Sequence, residues 1–152
     1  MIAIAEWLRS GHPHPLHWGD SRQSLNRLWP AAQAELDAEV AAGFPFLELD
    51  GVEFYFEGDG FDQLCEICIK VWAWAPGDAS AYFDYGWLRK GLTNVQVQDA
   101  LRAQGIAYRV ELGPAFQTPN LRTATGVIFG FYSDFDIPAE AEIMNVYLGL
   151  PK

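Results

Sequence analysis

The sequence predicts an α+β fold in which two tandem α-β-β-β-type repeats form a largely antiparallel sheet with helices packed on one face. Three observations predict it. The stretch Leu49-Asp50-Gly51-Val52-Glu53-Phe54-Tyr55-Phe56 is echoed about 75 residues later by Ala124-Thr125-Gly126-Val127-Ile128-Phe129-Gly130-Phe131. Gly51 thereby matches Gly126, Phe54 matches Phe129 and Phe56 matches Phe131, the mark of one structural unit used twice. Each stretch follows a helix-like segment and leads into another apolar run, residues 64–69 in the first half and 143–148 in the second. The hydrophobic period also changes in each half from that of a helix to the alternation of a strand.

Taken in order, residues 1–9 can form one or two helical turns closed by Gly11. The run His12-Pro13-His14-Pro15 is extended, because each residue before a proline is pushed out of the α region. Asp20 or Ser21 caps a helix bearing Leu25, Leu28 and Trp29, which Pro30 interrupts. Residues 31–42 are an Ala/Glu-rich helix ending at Gly43. Phe46, Leu47 and Leu49 then start a strand, and Asp50-Gly51 is a tight-turn signal. Val52, Phe54 and Phe56 alternate with Glu53, Tyr55 and Glu57, giving one buried and one wet face. Residues 58–60 turn the chain into a long strand over residues 64–74.

The loop over residues 75–81 separates the halves. Thr93 caps the next helix, with Val97, Ala100 and Leu101 inward and Gly105 at its end. Strands follow at residues 106–112, 121–123, 127–131 and 143–150. The expected organisation is a single domain, 1–152, with internal repeats over about 20–75 and 87–150.

Composition narrows the function classes. Half of the 152 residues are hydrophobic and 14% are aromatic, which argues for a packed core despite a net charge of −10. No apolar window approaches the ~18 residues of a membrane span, so no membrane association is expected. No export signal is visible and there are two cysteines, which together point to the cytoplasm. Between Arg27 and Lys70 there is no basic residue but there are ten acids, Glu35, Asp37, Glu39, Glu48, Asp50, Glu53, Glu57, Asp59, Asp62 and Glu66. Such a surface repels phosphate backbones, so nucleic acid is not an expected partner. It steers basic partners or cations instead.

The phrase Gly91-Leu92-Thr93, with a helix and then Gly105-Ile106-Ala107-Tyr108, resembles uncharacterised bacterial proteins of immunity-protein type. So does Thr125-Gly126-Val127-Ile128-Phe129 and, in the first half, Gly51-Val52-Glu53-Phe54-Tyr55-Phe56. More distantly, the tandem unit is similar to the repeats of the β-lactamase inhibitory protein and of small outer-membrane assembly lipoproteins. The resemblance covers about residues 20–150 and implies two repeats laying their strands into one curved sheet whose open face receives another protein.

Candidate chemistry is sparse. His12, His14 and His17 with Asp20 have metal-ligating side chains, but the prolines hold them extended near a terminus, and surface coil is expected. Cys65 and Cys68 have redox spacing, yet on a regular strand they point to opposite faces, as buried inert thiols would. Glu57, Asp59 and Asp62 have the oxygen density of a calcium loop without its spacing, so a polar hairpin is expected. No catalytic residue, metal or cofactor is assigned.

The leading expectation is therefore a non-enzymatic, immunity- or antitoxin-like protein. Its acidic, aromatic sheet face, with Glu53, Tyr55, Glu57, Trp72 and Trp74, covers a protein with a basic surface. The alternatives are a small metal-dependent hydrolase and a small-ligand-binding module. The oligomeric state is left open.

Overall fold

Asp50 and Gly51 both have positive φ, 47° and 77°, the combination that a two-residue type I′ hairpin turn needs. Gly51 has a second reason to lack a side chain: a Cβ there would lie 2.7 Å from Trp74 Nε1. The structure, a computed structural model, describes residues 1–34, 37–38, 43, 46–75, 77, 79–112, 119–132 and 137–149. In it the Asp50-Gly51 turn joins two antiparallel strands, β2 (Phe46–Leu49) and β3 (Val52–Glu57), and β4 (Gln63–Ile69) continues the meander.

The second half contributes β6 (Tyr108–Glu111), β7 (Asn120–Thr123), β8 (Ile128–Phe131) and β9 (Ile143–Gly149). These seven strands form one sheet in the order β2-β3-β4-β9-β8-β7-β6, antiparallel at every pairing. Helices α1 (Ile4–Ser10), α2 (Arg22–Leu28) and α3 (Asn94–Ala103) complete an α+β architecture. A separate small parallel sheet pairs β1 (Ile2–Ala3) with β5 (Phe83–Asp84).

The two hairpins place similar residues opposite one another, although the second turn is one residue longer. Leu47 faces Phe54 and Glu48 faces Glu53, as Leu121 faces Phe129 and Arg122 faces Ile128. Phe54 pairs with Ile67 and Phe56 with Leu64; Phe129 pairs with Val146 and Phe131 with Ile143. Each ladder carries a bulge at the corresponding place, between Tyr55 and Phe56 and between Gly130 and Phe131. The halves meet where β4 pairs with β9, Ile67 opposite Leu148 and Cys68 opposite Tyr147.

Only one face of this sheet carries the core. Leu47, Phe54, Ile67, Leu148, Phe129 and Leu121 are buried in one cluster with Trp7 and Leu8 of α1, Leu25 of α2 and Val97 and Leu101 of α3. Aromatic edges fill its centre: Trp7 meets Phe54 and Phe83 at 6.4 and 5.9 Å, and Trp29 meets the same two rings at 5.5 and 5.3 Å. Such edge-to-face contacts add to the burial of the rings. The C-cap of α1, Gly11, lies against the β7–β8 turn, where Thr125 Oγ1 donates to the Arg9 carbonyl at 3.4 Å.

Local signals explain the helix ends. Thr93 and Gln96 form a capping box at α3. Ser21 precedes α2 but makes no side-chain cap; Asp62, from the turn before β4, accepts from Arg22 N at 2.9 Å instead. The long strand expected over residues 64–74 stops at Ile69. Lys70 N donates to the Gly51 carbonyl at 2.8 Å, and Val71–Ala73 then coil into a 3-10 turn. Of the Ala/Glu helix expected over residues 31–42, residues 33, 34, 37 and 38 are helical after the 3-10 turn Pro30–Ala32, and the others lie outside the described residues. Most of the loop expected at 113–119 and residue 150 of the last strand also lie outside them.

The shared register places Phe54 and Phe129 at corresponding core positions. Phe54→Ala and Phe129→Ala are each expected to cost about 3–5 kcal/mol in urea unfolding, whereas Phe61→Ala, at an exposed ring, should change stability by no more than about 0.5 kcal/mol.

Candidate functional site: the open face of the sheet

Strand alternation sends every second residue away from the core, and the register determines which of these stand side by side. One row crosses all seven strands: Glu48, Glu53, Cys68, Tyr147, Ile128, Arg122 and Arg109. A neighbouring row holds Phe46, Tyr55, Glu66 and Gly149. The buried apolar residues of the three helices join the core cluster on the opposite face.

Charge is separated along the long row. At the β2–β3 end Lys70 Nζ lies 2.8 Å from Glu48 Oε2. Burial opposes the charge on Lys70, but Glu48 and Glu53 outweigh it and hold the ammonium above its ordinary pKa. Glu53 is only 8% exposed. Burial raises its carboxyl above the usual range, and the attraction of Lys70 offsets this only in part. Burial, then Glu53, pushes the Tyr55 phenol up to about 12. At the other end Arg122 grips Glu111 with two hydrogen bonds, 2.9 and 3.1 Å, and Arg109 reaches the same carboxylate at 3.2 Å. These contacts, Arg122 first, hold Glu111 below the ordinary carboxylate value.

Between the charged ends the surface is less polar. Tyr147 and Ile128 line a concavity of about 810 Å3 with Glu57, Cys65, Glu66 and Arg122 at its walls. Asn145 Nδ2 donates to the Tyr147 hydroxyl at 3.0 Å, steadying the ring. This arrangement offers charge and contact area. It presents no nucleophile activated by a neighbouring base.

The five residues singled out by sequence separate into two groups. Glu53, Tyr55 and Glu57 lie on β3, Tyr55 against Phe46 with ring centroids 5.2 Å apart. Trp72 lies beyond β4, exposed, with the Lys70 ammonium 5.5 Å from its ring, so it stands at the rim beside Glu48. Trp74 belongs elsewhere: it is buried, stacked on Tyr85 at 3.8 Å, and donates to the Asp50 carbonyl at 3.2 Å. Sequence reading missed Glu48, Glu66, Tyr147, Ile128, Arg122 and Arg109 as members of one surface. Alternation marked several of them as outward-facing, but only the β4–β9 register sets them in line.

The remaining motifs have structural uses. His12, His14 and His17 are exposed. Among the described residues no group of three or more His, Cys, Asp or Glu is placed to hold a metal ion. In the acidic turn Asp62 is spent on capping α2, and Arg22 Nε donates to the Phe61 carbonyl at 2.7 Å. The cysteines correct the expectation of opposite faces. The bulge leaves Cys65 unpaired beside Glu66, and it lines the open-face concavity while Cys68 occupies the long row. Both are free. Burial, then neighbouring carboxylates, raises both thiols, Cys68 to about 12, so neither is a ready nucleophile.

Compared with protein-family models, curated proteins and solved structures, the chain matches none. Among the described residues no helix is long and apolar enough to cross a membrane.

The raised Glu53 carboxyl has a consequence for stability. The folded state holds this proton more tightly than the unfolded chain, so stability is lost as pH rises from the ordinary carboxylate value through the raised one. Glu53→Gln removes that loss. Urea unfolding from about pH 4 to about pH 7 should show the variant gaining on the parent as pH rises; parallel curves would refute the assignment.

Proposed function

We propose that this chain is a non-enzymatic protein-binding module, an immunity- or antitoxin-like factor. On this reading it covers a basic site of another protein with the acidic half of its open sheet face. The observation that carries the reading is the sheet itself. One face is committed to the core, and the other presents Glu48, Glu57 and Glu66 around half-buried Phe46 and Tyr55, with Glu53 buried beneath them. Aromatic area rimmed by carboxylates suits a protein interface, and sequestration needs complementary shape and charge without any reacting group.

The matching β3–β4 and β8–β9 ladders, each with its bulge, support reading the sheet as one helix-plus-strands unit used twice, the second copy carrying one strand more, β6. Two free thiols suit a reducing compartment such as the cytoplasm. Carboxylates concentrated on one surface raise the rate at which a basic partner is captured, and salt screens that effect.

One observation favours a second reading, a small-ligand-binding module. A cavity of about 520 Å3 is lined by Trp74, Phe83, Tyr85 and Leu88, with Arg89 and Lys90 at its edge, within the size range of ligand pockets. The acidic face is the stronger reading because it joins several strands and concentrates a charge that the composition already displays.

The test begins with the protein that co-purifies with this chain. Its association rate should fall about tenfold or more between low and high salt. The exposed substitutions Glu57→Lys and Glu66→Lys together should weaken binding about tenfold, while Phe61→Ala should not. Binding that ignores both salt and charge reversal would refute the acidic-face mechanism.

A further inference from the structure

We propose that the open face also pairs with a second copy of this chain, in a two-fold, face-to-face dimer. The seven-residue row is its own electrostatic complement. Turned about an axis that runs along the strands above Tyr147, it meets itself reversed: Glu48 over Arg109, Glu53 over Arg122, Cys68 over Ile128, and Tyr147 over Tyr147. A two-fold interface demands this property, that each residue's partner is also partnered by it. Glu53 and Cys68 are buried among their neighbours, so the row offers half-buried Tyr147 and Ile128 at its middle and accessible charges, Glu48, Arg122 and Arg109, toward its ends. That matches the less polar centre and charged rim of protein interfaces.

Internal pairing leaves the two ends opposite in sign. Lys70 offsets Glu48, but Glu57 and Glu66 keep the β2–β4 side negative. Glu111 is shared by two arginines, so the β6–β7 side keeps a positive balance. Seven strands at ~4.8 Å spacing span roughly 29 Å, and strands of four to seven residues extend roughly 13 to 23 Å along it. A face of that size is below the ~800 Å2 that each partner buries in a standard interface and suits a weak, reversible dimer. Twisted sheets stack face to face with strands within about 30° of each other, which keeps such rows in contact.

The dimer uses the same surface as the partner reading but does not depend on the partner being basic. It would cover the face until a tighter-binding protein displaces the second copy.

Sedimentation velocity across a concentration series at low ionic strength tests this. The unmodified chain is expected to dimerise. Glu48→Arg sets two guanidinium groups against each other at both symmetry-related contacts, and Arg109→Glu sets two carboxylates against each other there. Each single variant should therefore weaken the dimer roughly tenfold or more. An equimolar mixture of the two can form a heterodimer in which like charges meet like at neither contact only if the reversed sites face each other, and it should dimerise within about threefold of the unmodified chain. The double variant Glu48→Arg/Arg109→Glu should do the same. Circular dichroism melts confirm that each variant is folded. The proposal is overturned if the unmodified chain is monomeric throughout, if its dimer ignores both single substitutions, or if neither the mixture nor the double variant restores association. A monomer that still binds a basic partner in a salt-dependent way would overturn the dimer alone and leave the partner reading standing.

Discussion

The pairing of β4 with β9 is the constraint on which the rest depends. Without it, each half would end in an unpaired strand, with backbone donors and acceptors open to any passing edge. With it, two short meanders become one seven-stranded sheet, and both of those edges are buried in its middle. The register is fixed by which residues must be dry. Ile67 and Leu148, Ile69 and Val146 point into the core together. A slip of β9 by one residue against β4 would send Val146 and Leu148 to the wet face and bring Tyr147 inside, while Ile67 and Ile69 stayed in the core.

From that register follows the electrostatics of the open face. The carboxylates of the first half and the arginines of the second belong to hairpins far apart in sequence, and only the seam puts them in one line. Lys70 acquires its role from the same geometry. It leaves the sheet immediately after β4, where its ammonium reaches Glu48 and lies under Trp72. Glu53 is held in a crowded position between Glu48 and Cys68, its charge opposed by burial and only partly supported by Lys70.

Much of this was legible in the sequence, for reasons that can be named. Asp50-Gly51 specifies a turn because few other residue pairs accept two positive φ angles. Thr93 specifies a helix start through its capping box. The echo between residues 49–56 and 124–131 falls on β3 and β8, whose ladders with β4 and β9 each carry a bulge before the second phenylalanine, while the turns that precede them differ by one residue. What escaped depends on contacts distant in sequence. Residues 67–74 are almost continuously apolar, so nothing local announces that β4 ends at Ile69 and that Trp74 turns away to stack on Tyr85. The bulge that leaves Cys65 unpaired is a property of a two-strand ladder, invisible in either strand alone. The β1–β5 pairing is two residues long and has no periodicity to read. The acidic half of the candidate surface was visible as composition, but its basic half and its tyrosine centre needed the seam.

Amide hydrogen exchange tests the central claim most directly, because it reports the free energy needed to open each segment. If β4 and β9 join the halves into one sheet, the amides of Ile67, Ile69, Val146 and Leu148 should be among the slowest to exchange and should open only with global unfolding. Seam amides that exchange well before those of the β2–β3 and β7–β8 hairpins would contradict the account, because the halves would then part from each other before either hairpin opens, and the seam would not be what the rest depends on.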